Sequence, residues 1–184
     1  MPEPGFSFAG EALWLEFVNT AAPPFQSTEL LTDAAALERW LRAAGLPSVE
    51  RTRALVEARA LRDLLLSLAS ALAEGRRPPT AAVAALNAQL RDTPGREQLI
   101  RVSGMWRLVF QPAAPDRAFA ALARSAAITL TNPMVRVRRC AGPECGRYFL
   151  DTTQDLSRYW CQDDPCRRSA PIDRRRGGRV IPAV

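Results

Sequence analysis

The chain has 184 residues, of which 47% are hydrophobic and 24% charged, as expected for a globular domain carrying a small added module. A chain of this length buries a core without staples, so its four cysteines are not needed to hold together a tiny disulfide-rich fold. The formal net charge of +6 is uneven, since residues 136–184 hold 11 arginines against 6 acidic residues and residues 1–135 hold 14 against 13. A localised basic segment predicts an anionic partner, nucleic acid first.

Apolar residues at helical spacing predict three helices in the first half of the chain. The first covers 10–20 and contains the motif LWLEFVNT. The second covers 33–44, with Thr32 as its N-cap and Gly45 as its stop. The third and longest covers 49–74.

The second half begins with a helix predicted over 80–91. Two runs rich in β-branched and aromatic residues, 98–104 and 105–111, predict a β-hairpin. A helix over 116–130 and a short strand over 135–140 follow. The aromatic residues predicted to lie in the core are Trp14, Phe17, Trp40, Trp106 and Phe110.

All four cysteines lie in one stretch with the spacing Cys140-x4-Cys145-x15-Cys161-x4-Cys166. Two short-spaced pairs separated in this way are typical of a tetrahedral four-cysteine zinc site, because each loop brings two sulfurs to the same ion. An iron–sulfur cluster and a pair of disulfides are the other interpretations of the spacing. Four thiolates leave no open position for water, so the pattern predicts one structural zinc ion per chain.

Composition also limits the kind of protein. The chain has no histidine, which removes the usual serine-hydrolase and most metalloenzyme arrangements and predicts a protein that is not an enzyme. The most apolar run, 64–73, is too short to span a bilayer, and MPEPGFSFAG lacks the pattern of a secretory signal. These features predict a cytoplasmic chain, where clustered thiols stay reduced.

The stretch RRCAGPECGRYFLDTTQDLSRYWCQDDPC resembles the CGNR zinc finger. The segment LWLEFVNT resembles the start of the helical ABATE domain that accompanies this finger, and together the two cover nearly the whole chain. The matching finger positions are Cys140, Cys145, Phe149, Asp151, Ser157, Arg158, Trp160, Cys161 and Cys166. The resemblance implies a bacterial stress-induced transcription regulator with a DNA-binding finger.

The chain departs from the family pattern directly after Cys166, where Arg167-Arg168-Ser169 replaces Gly-Asn-Arg. A helix starting at the last zinc ligand would place Pro171 in its interior, at a cost of ~3 kcal/mol or more. The helix is therefore predicted to stop near Ala170, which leaves the following arginines on a flexible segment. Contact with DNA is accordingly predicted to be weakly sequence-specific.

The predicted fold is mainly α (α+β). A helical domain with one β-hairpin spans 1–133, and a zinc module of treble-clef or zinc-ribbon-like type with a basic tail spans 134–184. The arginines expected to serve as counter-charges for the thiolates are Arg138, Arg139, Arg147 and Arg167, which are close to the cysteines in sequence. The residues predicted to contact nucleic acid are Arg158, Arg167, Arg168, Arg174, Arg175 and Arg176.

Asn19 and Thr20 belong to the family motif of the helical domain and are predicted to form either a ligand site or a structural turn. Two further functions stay open from the residues alone. One is a protein- or RNA-interaction module with purely structural zinc, including a homodimer. The other is a small-molecule sensor that uses the helical domain.

Overall fold

The structure is a computed structural model that describes residues 6, 11–21, 29–49, 53–91, 93–102, 105–114, 117–143, 145–162, 166, 172–173 and 179–180. Five helices and three two-stranded antiparallel sheets lie within those residues. The helices are α1 (Leu13–Val18), α2 (Ala34–Ala43), α3 (Ala54–Ala73), α4 (Thr80–Leu90) and α5 (Phe119–Thr131). The paired strands are β1 (Gly95–Val102) with β2 (Met105–Pro112), β3 (Arg136–Arg139) with β4 (Tyr148–Asp151), and β5 (Ile172–Asp173) with β6 (Arg179–Val180). This architecture confirms the predicted mixed, mainly helical fold class.

Helix α2 begins one residue later than its predicted N-cap implies. Asp33, and not Thr32, is the N-cap, because its Oδ1 accepts a hydrogen bond from the Ala36 amide at 2.7 Å. The helix stops as predicted before Gly45, whose φ of +73° is a left-handed conformation that suits glycine.

Helix α3 begins at Ala54, later than the predicted start at residue 49. Val49 is buried, and its amide donates to Glu38 Oε1 at 2.9 Å, so this residue belongs to a loop folded against α2.

The predicted hairpin is present, with Val102 paired to Met105 and Gly95 to Pro112. One of its faces buries Val109 against the helices. Trp106, predicted to be a core residue, is 70% exposed, so that prediction was wrong. Side chains alternate along a strand, so Trp106 and Phe110 both lie on the face opposite Val109. Phe110 packs against the core, whereas Trp106, nearer the turn, does not reach it.

One core connects the helices with the start of the cysteine-rich segment. Trp14, Phe17 and Trp40 are fully buried, and the Phe17 and Trp40 rings lie 4.9 Å apart. Val137 of β3 and Tyr148 of β4 belong to the same buried cluster. The β3–β4 hairpin therefore packs into the core of the helical part. No helix in the described part of the chain is both long and apolar enough to cross a membrane.

Candidate metal centre

The β3–β4 hairpin positions the first two cysteines, since Cys140 directly follows β3 and Cys145 lies just before β4. All four thiols are buried, and their Sγ atoms lie within 4.8 Å of one another. The Sγ of Cys161 is 3.7 Å from that of Cys145 and 3.6 Å from that of Cys166. Four sulfurs held ~2.3 Å from one zinc ion at the corners of a tetrahedron are about 3.8 Å apart. The sulfurs are thus spaced to hold one zinc ion.

The same distances remove the other two interpretations of the cysteine spacing. The sulfurs of a disulfide lie about 2.05 Å apart, far closer than the 3.6 and 3.7 Å separations found here. An iron–sulfur cluster places several iron and sulfide ions between its thiolates, and a group of sulfurs within 4.8 Å of one another leaves no room for them.

The backbone around Cys140 favours a thiolate. The Cys161 amide donates to Cys140 Sγ at 3.3 Å, and the Gly142 amide donates to it at 3.5 Å. Gly142 also lets the chain turn tightly over the site. A Cβ at this position would lie 3.2 Å from the Cβ atoms of both Cys145 and Cys166, tighter than ordinary contact.

Close packing of the four thiols shifts their pKa values in opposite directions. Hydrogen bonds from the Cys145 and Cys161 thiols lower the pKa of Cys140 to about 2. The bond to Cys140 raises the pKa of Cys145, and burial together with the neighbouring negative charges raises the pKa of Cys166 to about 12. Four thiolates packed this closely repel one another, and a divalent cation allows all four to ionise.

Asp151, at the end of β4, organises the loop that leads back to Cys161. Its carboxylate is fully buried and accepts hydrogen bonds from the Thr153 hydroxyl at 2.6 Å, the Thr153 amide at 3.1 Å and the Arg158 amide at 3.0 Å. Arg138 Nε donates to it at 2.9 Å. Burial alone would raise the pKa of Asp151, but these hydrogen bonds outweigh it and hold the pKa below the ordinary 3.8.

Replacing Asp151 by asparagine is expected to lower the free energy of unfolding by about 1–3 kcal/mol, because an amide group then faces donors that require an acceptor. The destabilisation should be full at neutral pH and should shrink as the pH falls through the lowered pKa, where the wild-type carboxylate protonates. Urea unfolding at several pH values measures it. Asp63→Asn, on the exposed side of α3, is the matched control. Equal stability of the two variants at pH 7 would contradict this role.

Arg158, predicted to contact nucleic acid, makes hydrogen bonds, an ion pair and a ring contact within the protein itself. Its Nε donates to the Trp160 carbonyl at 2.9 Å, and its guanidinium lies 4.9 Å from the centre of the Phe149 ring. It also donates to the Cys161 carbonyl and forms an ion pair with Glu11. These contacts fix the loop between β4 and Cys161 to the four-sulfur site, called the cage below. A contact of Arg158 with nucleic acid stays a prediction.

Arg138 and Arg147 pair with carboxylates rather than serving the sulfurs directly. Arg138 pairs with Asp151. Arg147 is buried, and its Nη2 lies 3.3 Å from Oε2 of the buried Glu16 in α1. The charge of these two arginines is therefore used inside the fold.

Asn19 joins α1 to the metal centre. Its Nδ2 donates to the Tyr148 carbonyl at 2.8 Å, and its Oδ1 accepts from the Tyr148 amide at 2.8 Å. The side-chain amide therefore occupies the place of a neighbouring strand beside β4. Thr20 completes the turn, since its hydroxyl donates to the Phe17 carbonyl at 2.6 Å and accepts from Arg62 at 3.0 Å. Of the two predictions for this motif, these contacts fit the structural turn.

Two residues of the contact surface between α1 and the zinc module, which we call the seam, were not predicted from the sequence. Glu16 pairs with Arg147, and its second oxygen lies 3.8 Å from Nη2 of Arg107 in β2. Glu11 binds Arg158. Glu16 and Asn19 are three residues apart and so share a face of the chain around α1. A glutamate within the otherwise apolar LWLEFV was the available signal, because a buried carboxylate requires a partner.

The remaining arginines predicted to contact nucleic acid are at positions that the structure does not describe. Arg167, Arg168, Arg174, Arg175 and Arg176 lie outside the described residues, as does the predicted helix that begins at Cys166 and stops near Ala170. Within the described part, Arg136 and Arg139 of β3 are exposed.

The fold and this site define a helical domain that carries a structural zinc module. Residues 11–133 match the ABATE family model, described as "Putative stress-induced transcription regulator", and residues 136–177 match the CGNR zinc finger model. No curated protein matches the chain. Since the first match covers most of the chain, the protein belongs to the ABATE family and carries a CGNR finger with one structural zinc ion.

Proposed function

We propose that the chain is a non-enzymatic bacterial transcription regulator that acts in the cytoplasm and binds DNA through the zinc module and its arginine-rich end. The observation that carries the proposal is where the charge lies. Residues 136–184 supply a net charge of +5, 11 arginines against 6 acidic residues, next to a closed four-sulfur cage. A closed shell gives the metal no position for substrate, so its role is to shape a basic surface.

Two of these arginines are engaged inside the fold, which narrows the candidates for phosphate contact. Arg138 pairs with Asp151 and Arg147 with Glu16. The arginines left for phosphate are Arg136 and Arg139, which are exposed on β3, Arg158, and those at the C-terminal end, at positions 167, 168, 174, 175, 176 and 179. Guanidinium groups bind phosphate oxygens well without reading bases, so the affinity should depend on salt far more than on sequence.

Binding to a labelled DNA duplex, measured by fluorescence anisotropy at several salt concentrations, tests the proposal. We expect log K to fall linearly with log salt. Replacing Arg174, Arg175 and Arg176 by alanine should reduce the slope by about 2–3, at ~0.9 for each phosphate that the variant no longer neutralises. The control replaces Arg42, Arg53 and Arg77, which are exposed in the helical part, and removes the same charge.

The outcomes separate the candidate functions. Absence of duplex binding at low salt would overturn DNA binding, and tighter binding to single-stranded RNA than to duplex would favour an RNA-interaction module. An equal decrease of the slope in the two triple variants would mean that the C-terminal arginines form no particular site.

A small-molecule sensor is the second candidate, and one cavity favours it. A cavity of about 450 Å³ lies between β2, α5 and the start of α1, a volume within the range of ligand sites. Leu13, Leu108 and Ile128 give it an apolar lining, and Arg107 and Arg124 lie in its wall. A compound bound there would touch Leu150 of β4 and so reach the zinc module directly.

A further inference from the structure

One face of the β1–β2 hairpin carries large apolar side chains that are mostly exposed, two of which, Trp106 and Leu108, also lie at the rim of the cavity beside α5. Leu99 is 64% exposed, Trp106 70% and Leu108 65%. Leu99 and Leu108 are directly opposite each other in the register, and Trp106 is opposite Arg101. Such clusters on a protein surface mark contacts with other macromolecules.

The outer edge of β1 is also open. The sheet consists of β1 and β2 alone, and within the described residues no strand pairs with the other side of β1. Residues 94–99 are all exposed. An eight-residue edge presents unpaired N–H and C=O groups along its length, which is a template for another strand.

The charges of β1 indicate which strand fits this edge. Glu97 and Arg101 lie two residues on either side of Leu99 and on the same face as it. If a second β1 pairs antiparallel about a two-fold axis at Leu99, each Glu97 lies opposite Arg101 of the second copy, and the two leucines meet. Moving the axis to a neighbouring residue of the same strand separates these charges. Opposite charges across a strand pair are stabilising, so the sequence matches its own copy in this one register.

Glu97 retains the capacity for this contact. Its Oε1 accepts from Arg124, and its side chain is 36% exposed. The ion pair with Arg124 uses one carboxylate oxygen, which leaves Oε2 for a second guanidinium.

We propose that two copies of this chain associate through β1, antiparallel and centred on Leu99, to form a four-stranded sheet. One face of that sheet would carry Leu99, Trp106 and Leu108 of both copies, and a two-fold assembly would present two zinc modules to one partner. Since the contact is a strand edge rather than a broad interface, the dimer dissociates at micromolar concentrations. This inference depends on the hairpin alone and is independent of whether the chain binds DNA.

Sedimentation velocity of the full zinc-loaded chain, over roughly 1–300 µM, measures the assembly. We expect a shift from 20.2 kDa to twice that mass as concentration rises. Glu97→Arg and Arg101→Glu each place like charges opposite each other, and each should weaken the dimer at least tenfold. An equimolar mixture of the two variants restores both opposite pairs and should dimerise again.

Two variants with matched charge changes control for net charge. Arg96→Glu, on the other face of β1, matches Arg101→Glu, and Asp63→Arg on α3 matches Glu97→Arg. Both should dimerise as the wild type does. Circular dichroism and zinc content establish that every variant is folded. A monomer at all concentrations, or a dimer that neither charge reversal weakens, would overturn the proposal.

Discussion

Replacing Cys161 by serine is expected to abolish zinc binding and to lower the free energy of unfolding by about 5 kcal/mol or more, the largest effect of any single change. Its sulfur lies against those of Cys145 and Cys166, and three thiolates do not close the shell. The effect should reach the helices, because Val137 and Tyr148 belong to the main core. Urea unfolding followed by tryptophan fluorescence reports it, since Trp14 and Trp40 are buried there.

A strong chelator supplies the control. Chelator should destabilise the wild type to the level of Cys161→Ser and should leave the variant unchanged, because no metal is left to remove. If the variant unfolds at the wild-type urea midpoint, the zinc site does not support the fold.

The second large effect is expected at the seam. Replacing Asn19 by alanine leaves the amide and the carbonyl of Tyr148 buried without their partners. Each such group costs about 1–3 kcal/mol, so stability should fall by about 2–6 kcal/mol. Zinc should stay bound, because Asn19 contacts β4 and not the cysteines. Urea unfolding and zinc content, measured together, distinguish this variant from Cys161→Ser.

Asn87, exposed on α4, provides the matched control for this change. Asn87→Ala should alter stability by no more than about 0.5 kcal/mol. A ligand site at Asn19 makes a different prediction, since removing a ligand-binding side chain need not destabilise the free protein. Stability of Asn19→Ala within the range of the control would therefore contradict the structural role.

The features predicted from sequence are those fixed by local chemistry. The cysteine spacing specified the cage, because two short loops can bring four sulfurs to one ion in few ways. The runs 98–104 and 105–111, rich in β-branched and aromatic residues, predicted the hairpin, and Gly45 ended its helix with φ of +73°. The division into two domains stays a prediction, while the shared core joins their described parts.

Contacts between distant segments could not be predicted in the same way. The bonds from Asn19 to Tyr148 span 129 residues, and the pair of Glu16 with Arg147 spans 131. No periodicity encodes such a pairing, because either partner alone is compatible with a surface helix or a turn. The prediction for Trp106 was wrong for a related reason, since the pattern of a strand does not say how far along the hairpin the core extends, and Phe110 of the same face packs against the core while Trp106 does not.

Native mass spectrometry of the intact chain tests whether one zinc ion organises a module docked on the helical domain. We expect one zinc per 20.2 kDa chain, and none in Cys161→Ser. A folded wild-type chain that carries no metal, or that carries a cluster of several iron ions, would contradict this zinc-centred fold.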